Sequence, residues 1–370
     1  DPARAFEATL AVLVVSCPCA FALAVPAAIT RALAVLAARG VFVVRTDAIE
    51  NLALASHAVF DKTGTLTDAH LELVGIDAAD RDEALALAAA LARGSRHPVA
   101  QALAQAASGL PMRAADSLRT IEGGGLEGSI DGRTYRLGNP AFALGAGRDD
   151  DDAVILAGAQ GNDGERVEIA AFRLSERVRP GAREAVAALA ASGIDIEIAS
   201  GDAGSKVAVV AERLGIGRWR ARQSPAAKLE RLRELRAGGA RVLAVGDGIN
   251  DAPVLAGADV AVALASGAEL AQAAGDVILD GANLAALPAA RAIARETLAV
   301  LKQNQRWALA YNLAAVPLAA LGLVSPWLAA LGMSASSLIV VLNALRIGRD
   351  VPASAAPAPA RTPADLRRWA

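Results

Sequence analysis

The chain has 370 residues, of which 54% are hydrophobic, 21% charged and 3% aromatic, with 37 Lys and Arg against 39 Asp and Glu for a net charge of −2. That balance excludes a strongly basic nucleic-acid binder, and the positive mean hydropathy excludes an ordinary soluble enzyme. Two cysteines in one short apolar stretch exclude a disulfide scaffold; the length allows two or three domains with cores of their own.

In chain order, the first element is the uncharged segment Ala8 to Ile29, long enough to cross a hydrocarbon core of about 30 Å as a helix. A signal peptide would open on basic residues and break at a small-residue cleavage site. This stretch opens on Asp1-Pro2 and runs on. Cys17-Pro18-Cys19 lies in its middle, where the proline opens the helix and two thiols flank the break. Either cysteine alone would be an inert small hydrophobe. As a pair they can aim at one soft cation, Cu(I) foremost and zinc as competitor.

The middle of the chain alternates short β-branched or apolar runs (Ala58-Val59-Phe60, Ile194 to Ala199, Arg241 to Val245, Val260 to Ala263) with helical patterns such as Pro180 to Ala191 and Ser205 to Leu214. The expected fold class is α/β, a doubly wound parallel sheet with its site at the carboxyl ends of the strands. Residues 70–172 interrupt this alternation and read as an inserted α+β domain. Within it Gly123, Gly125 and Gly128 spell G-x-G-x-x-G, a dinucleotide signature only if a helix follows. Leu126 to Ile130, the turn Asp131-Gly132 and Arg133 to Leu137 read instead as a β-hairpin, which rejects that option. The acidic run Asp149 to Asp152 reads as a solvated loop.

Trp307 to Val324 and Trp327 to Leu345 form two further uncharged runs, joined by Ser325-Pro326 as a membrane hairpin. Arg31, Arg39, Arg45, Arg291, Arg295, Lys302, Arg306, Arg346 and Arg349 flank the three spans on one side. The middle region and tail are therefore expected in the cytoplasm and the N-terminus outside. From Pro352 the tail is Ala/Pro-rich and is expected to be disordered. An odd number of spans opening on Asp reads as the C-terminal part of a longer polypeptide.

Three acidic loops follow three of the strands: Asp61 to Thr67, Ser200-Gly201-Asp202, and Gly246 to Asp251. One such dipeptide is usually a turn; three at strand ends, with Lys228 following Ser224-Pro225, describe phosphoryl-transfer chemistry. Asp61 is the candidate nucleophile on the γ-phosphorus of ATP. Thr63, Ser200 and Gly201 are candidate donors to the phosphoryl group, Asp202 completes their loop, and Lys228 supplies positive charge. Asp61, Thr63, Asp247, Asn250 and Asp251 are the oxygen donors expected around Mg²⁺, an ion that suits few carboxylates and retained waters.

The run D-K-T-G-T-L-T at Asp61 to Thr67, with G-D-G-I-N-D at Gly246 to Asp251, resembles the phosphorylation domain of P-type ATPases, and the likeness extends to about Arg349. It implies a haloacid-dehalogenase-like sheet, ATP and Mg²⁺ as cofactors, and an aspartyl-phosphate intermediate. Phosphatases of that superfamily carry a second aspartate two positions after the nucleophile; Thr63 stands there, which implies slow attack by water and an intermediate that persists. The implied division is residues 1–44 as a membrane helix with the metal site, 45–69 with 173–288 as the phosphorylation domain, 70–172 as the nucleotide-binding domain, 289–349 as the hairpin and 350–370 as the tail.

His97-Pro98, the three glycines and Gly138-Asn139 resemble the nucleotide-binding domain of heavy-metal P-type ATPases, where the histidine meets the adenine. Taken alone, His97 reads as a surface or capping histidine. Arg96 and Ala92 stand where that family has glutamates. Cys17-Pro18-Cys19 resembles the family's transport signature. Tyr311-Asn312, Met333, Ser336 and Ser337 resemble the Cu(I) subgroup, whose members would use these side chains with Cys17 and Cys19 on the ion. Zinc and cadmium pumps would show a lysine and an aspartate in these spans, and neither occurs. Gly332 to Arg346 resembles the copper pumps linked to cytochrome oxidase assembly. The expected function is ATP-driven export of Cu⁺ by an integral protein of a bacterial inner membrane, with a copper chaperone or acceptor protein as partner. The alternatives are a zinc/cadmium pump and a non-pumping metal-binding membrane fragment. No T-G-E or S-G-E tripeptide, the mark of the actuator domain, occurs in the chain. That domain and the earlier membrane helices are expected partners, and the chain alone is expected not to complete turnover.

Overall fold

The computed structural model describes residues 2–111, 113–145, 153–160, 165–246, 252–264, 275–280 and 283–351. They form two compact units: Thr67–Arg179, and the remainder of the chain on either side. Asp247, Asn250 and Asp251, the run 149–152 and the tail from Pro352 lie outside the described residues.

The first unit is built on a seven-stranded sheet of order β1-β13-β12-β11-β2-β9-β10. These are Val41–Val43, Val277–Leu279, Val260–Leu264, Val242–Gly246, His57–Asp61, Asp195–Ala199 and Arg218–Arg220. Every neighbouring pair is parallel except β1 with β13, so the expected parallel sheet carries one antiparallel edge strand. β11 and β12 are buried at all five positions, as strands covered on both faces must be, whereas the edge strand β10 is exposed throughout. Helices α3 (Asp47–Leu54), α7 (Ala182–Ala191), α8 (Gly204–Leu214), α9 (Pro225–Ala237) and α10 (Ala252–Gly257) connect or flank the strands.

The second unit is a six-stranded antiparallel sheet, ordered β3-β8-β7-β6-β5-β4. The strands run Thr67–Ala78, Glu165–Val178, Val154–Gln160, Arg133–Gly138, Gly125–Ile130 and Asp116–Ile121. One face packs on α4 (Arg81–Ala92) and α5 (Pro98–Ala106) around Leu91, Leu103, Ile130, Leu137, Leu156 and Phe172. The other carries α6 (Pro140–Leu144) over Ala143, Ile155, Ala157 and Ala171. The β5–β6 hairpin turns at Asp131 (φ 51°) and Gly132 (φ 76°), the two positive values that a type I′ turn demands.

The first apolar stretch is two helices, α1 (Pro2–Val15) and α2 (Cys19–Ala37), broken at Cys17-Pro18. α2 buries Ala20, Ala24, Ala28, Ala32 and Leu36, a stripe of small residues four apart that lets helices approach closely. It packs on both α11 (Ala286–Ala320) and α12 (Pro326–Ala344).

Among the described residues two stretches, not the expected three, are long and apolar enough to cross a membrane: Pro2–Ala37 and Pro326–Ala344, each with 22% of its most apolar window buried. The missing one is the Trp307 to Val324 span. α11 is 35 residues long, but its first half is charged and it ends at Ala320. From Trp307 that leaves about 14 helical residues, roughly 21 Å at 1.5 Å per residue.

Candidate active site

β2 ends at Asp61 between two parallel neighbours. Its register with β9 sets Asp61 opposite Ala199, so the Ser200-Gly201-Asp202 turn leaves the sheet beside the carboxylate. β11 pairs Val245 with Phe60 and ends at Gly246 on the other side. The chain continues from there into Asp247, Asn250 and Asp251, outside the described residues. After Asp61 the chain turns through Lys62–Leu66, where Gly64 takes φ 76°, a conformation glycine reaches without the Cβ penalty.

α9 delivers Lys228. Its first turn is capped by Ser224, whose Oγ accepts from the Ala227 amide at 3.2 Å, with Pro225 at the first helical position. The Lys228 ammonium donates to Asp61 Oδ1 at 2.6 Å, and the two side chains are only 8% and 11% exposed. A second ion pair lies beside it: Lys62, buried, with its Nζ 2.8 Å from Asp202 Oδ2. The Thr63 and Ser200 hydroxyls donate to that same oxygen at 3.1 and 3.2 Å, and the Asp202 amide donates to Ser200 Oγ at 3.2 Å. Burial pushes the Asp202 carboxyl up, but the Lys62 ammonium and the two hydroxyls outweigh it and hold the carboxyl below its ordinary value.

The structure thus brings together Asp61, Thr63, Ser200, Asp202 and Lys228 from segments up to 167 positions apart. Gly201 sits in the same turn, and a side chain there would approach the Gln223 carbonyl. Lys62 belongs with them and was missed by the reading of the sequence, although its place directly after the nucleophile was the available signal. Among the described residues no group of three or more His, Cys, Asp or Glu is placed to hold a metal. The Asp61 carboxylate at the end of β2 fits Mg²⁺, which takes one or two protein carboxylates and keeps its waters.

In the second unit the expected nucleotide residues fall into two groups. His97 is exposed and caps α5, its Nδ1 accepting from the Val99 amide at 3.3 Å with Pro98 at the first helical position. Asn139 joins the glycine turn: its Nδ2 donates to the Gly123 carbonyl at 2.8 Å while its Oδ1 caps α6 through the Phe142 amide at 2.9 Å. Gly125 and Gly138 face each other across β5–β6, so close that a side chain on either would strike the opposing backbone. Gly128 packs under Leu91. Strand packing therefore explains these three glycines without any ligand.

In the helices, Cys17 and Cys19 flank the break and are joined by a disulfide. The two thiols expected from the sequence therefore belong to the reduced form of the pair. Tyr311 packs on Gly332, where a side chain would meet its hydroxyl. Ser336 is buried and accepts from Trp307 Nε1 at 3.1 Å, and Ser337 donates to the Met333 carbonyl. Asn312 and Met333 are half-buried.

Residues 55–259 match the family described as haloacid dehalogenase-like hydrolase. Nitrogen fixation protein FixI of Rhizobium leguminosarum bv. viciae is 41% identical over 352 residues, covering 94% of this chain and 45% of that protein. A copper-exporting P-type ATPase of Mycobacterium tuberculosis H37Rv is 38% identical, over 94% of this chain and 47% of that one. The chain thus spans about half the length of the curated relatives it matches. A crystal structure of a zinc-transporting PIB-type ATPase in the E2.Pi state superposes with a TM-score of 0.79 at 31% identity, over 90% of this chain and 57% of the other. With the site geometry above, these likenesses make the chain a member of the haloacid dehalogenase-like hydrolase family that carries the phosphorylation and nucleotide-binding domains, with flanking helices, of a P1B-type heavy-metal ATPase.

Proposed function

We propose that this chain is the phosphorylation and ion-path core of a Cu(I)-exporting ATPase of a bacterial inner membrane. The observation that carries the reading is the Asp61 carboxylate held 2.6 Å from the Lys228 ammonium, beside the Ser200 and Thr63 hydroxyls. An Asp61 oxygen attacks the γ-phosphorus of ATP, a new O–P bond forms, the bond to the β–γ bridging oxygen breaks, and ADP leaves. Lys228 and the hydroxyls lie where charge develops on the phosphoryl oxygens. Mg²⁺, when bound, neutralises phosphate charge, and Asp61 with Asp247, Asn250 and Asp251 are the residues to hold it. Thr63 in place of a second carboxylate leaves no general base for water, so the acyl phosphate lasts long enough to be coupled to the helices. His97, Gly123 and Asn139 are assigned to the nucleotide, and Gly125, Gly128 and Gly138 to the close packing of the strands beside it.

The cargo reading rests on Cys17 and Cys19 in reduced form at the α1–α2 break, with Tyr311, Asn312, Met333 and Ser336 on the helices α2 packs against. Soft sulfur ligands favour Cu(I), and residues 307–345 contain no lysine or aspartate to suit a divalent ion. A zinc pump is the second reading, favoured by the zinc-transporting structure that superposes. The resemblance of Gly332 to Arg346 to copper pumps linked to cytochrome oxidase assembly supports a role in cuproenzyme assembly, with an acceptor protein as partner.

The test is acid-stable labelling from γ-labelled ATP in reducing buffer. Label dependent on Asp61 and stimulated by Cu(I) is expected. Label retained in Asp61→Asn overturns the mechanism, and stimulation by Zn²⁺ alone, or Cu(I) stimulation surviving Cys17→Ser with Cys19→Ser, overturns the cargo. The isolated chain is expected to accept the phosphoryl group without sustained turnover.

A further inference from the structure

Below the Asp61–Lys228 pair lies a third ionic cluster that no step so far uses. Glu197, in the middle of β9, is 7% exposed. A carboxylate so placed needs partners, and two arginines supply them. Arg231 of α9 grips it as a fork: Nε lies 3.1 Å from Oε1 and 3.3 Å from Oε2, and Nη2 lies 2.9 Å from Oε2. Arg220 of β10 adds a fourth bond, Nε to Oε1 at 2.9 Å. The planar guanidinium fork fixes orientation as well as charge.

The cluster stands between the two halves of the phosphoryl site. Arg231 lies three residues after Lys228 on α9, on the same helix face. Of the 13 residues of α9 only Lys228 and Leu232 are buried, with Leu235 partly buried against the same core. Ser224 caps its start, and Arg236 reaches the Gly257 carbonyl at 3.1 Å near its end. A turn of the helix by about 20° would carry a side-chain tip at a radius of about 6 Å through about 2 Å, enough to take the ammonium off Asp61. On the other side, the carbonyl of Arg220 accepts the Ser200 amide at 2.9 Å, and the Gln223 amide donates to the Ser200 carbonyl at 2.8 Å. One carboxylate therefore ties the Ser200 turn to the helix that bears Lys228.

We propose that Glu197, through its fork on Arg231 and its bond to Arg220, is a positioning residue that sets the place of the Lys228 ammonium and the Ser200 turn around the phosphoryl acceptor. The proposal rests on Asp61 being that acceptor, and two independent measurements separate the failure of one from the failure of the other. The first is the rate of Asp61 labelling by ATP in the full chain. Glu197→Gln and Arg231→Met are expected to slow it about 10- to 100-fold, with KM for ATP unchanged and Arg231→Lys intermediate. In a Lys228→Met background, the slowing added by Glu197→Gln is expected to shrink to the share carried by the Ser200 turn. The second needs no phosphorylation: acetylation of lysines, read by mass spectrometry. Lys228, 6% exposed, is expected to be protected in the wild-type chain and to react severalfold faster in Glu197→Gln, while exposed Lys206 keeps its rate. Wild-type labelling by Glu197→Gln, the same loss with and without Lys228, or unchanged protection of Lys228 overturns the proposal. Absence of any Asp61-dependent label overturns the acceptor reading instead, and the acetylation comparison then decides the positioning role by itself.

Discussion

Replacing Lys228 by methionine is expected to destabilise the first unit, and replacing Asp61 as well is expected to restore it without restoring chemistry. At 2.6 Å the pair attracts by about 6 kcal/mol at an effective dielectric of about 20. Burying the two ions costs several kcal/mol each, so the intact pair adds little net stability. Removing only Lys228 keeps the cost of burying the Asp61 carboxylate, which is 11% exposed, and loses the attraction. Broken buried pairs cost about 3–5 kcal/mol; the residual exposure of Asp61 places Lys228→Met near the lower figure. At about 2–4 °C per kcal/mol for a domain of this size, the thermal midpoint falls by about 6–12 °C. Asp61→Asn in the Lys228→Met background removes the remaining charge and recovers most of that loss. Thermal unfolding of the detergent-solubilised chain, followed by circular dichroism, reads both numbers, and ATP labelling shows Lys228→Met slowed and the double variant inactive. A Lys228→Met chain that melts with the wild type, or a double variant that melts below the single one, refutes the reasoning.

Acid sensitivity follows from Asp202. Its carboxyl sits below its ordinary value in the native state, so its contribution to stability is present above about pH 4 and is lost as the pH falls through the native value. Lys62→Met removes the ammonium that holds the carboxyl down and is expected to move the acid-unfolding midpoint to higher pH; an unchanged midpoint in an acid titration counts against the pair. In the second unit, Gly125→Ala and Gly138→Ala each drive a Cβ into opposing backbone and are expected to cost about 1–3 kcal/mol or more. Gly132→Ala meets open space and only the positive-φ penalty, about 1–2 kcal/mol. Hydrogen exchange across β4–β7 distinguishes them, and equal protection in all three variants would remove the packing account of the glycines.

Local signals were legible in the chain itself. The buried runs of β2, β9, β11 and β12 announce a covered parallel sheet because both faces must be apolar. The Asp131-Gly132 turn announces its hairpin because few other pairs take positive φ twice. Asp61, Ser200 and Asp202 were found because each ends such a run. What the tertiary structure decided was every relation across long separations. Lys62 belongs to Asp202 while Lys228 belongs to Asp61, an assignment that depends on strand register and on the rotation of α9, which no local pattern encodes. Gly125, Gly128 and Gly138 read as room for a nucleotide, and the fold shows them required by neighbouring backbone and by Leu91. The span expected from Trp307 shortened because uncharged composition does not show where a helix stops; α11 ends at Ala320, one turn short of the run. Glu197 had no motif to mark it: an acidic residue within a strand becomes a candidate only when the fold buries it between two arginines.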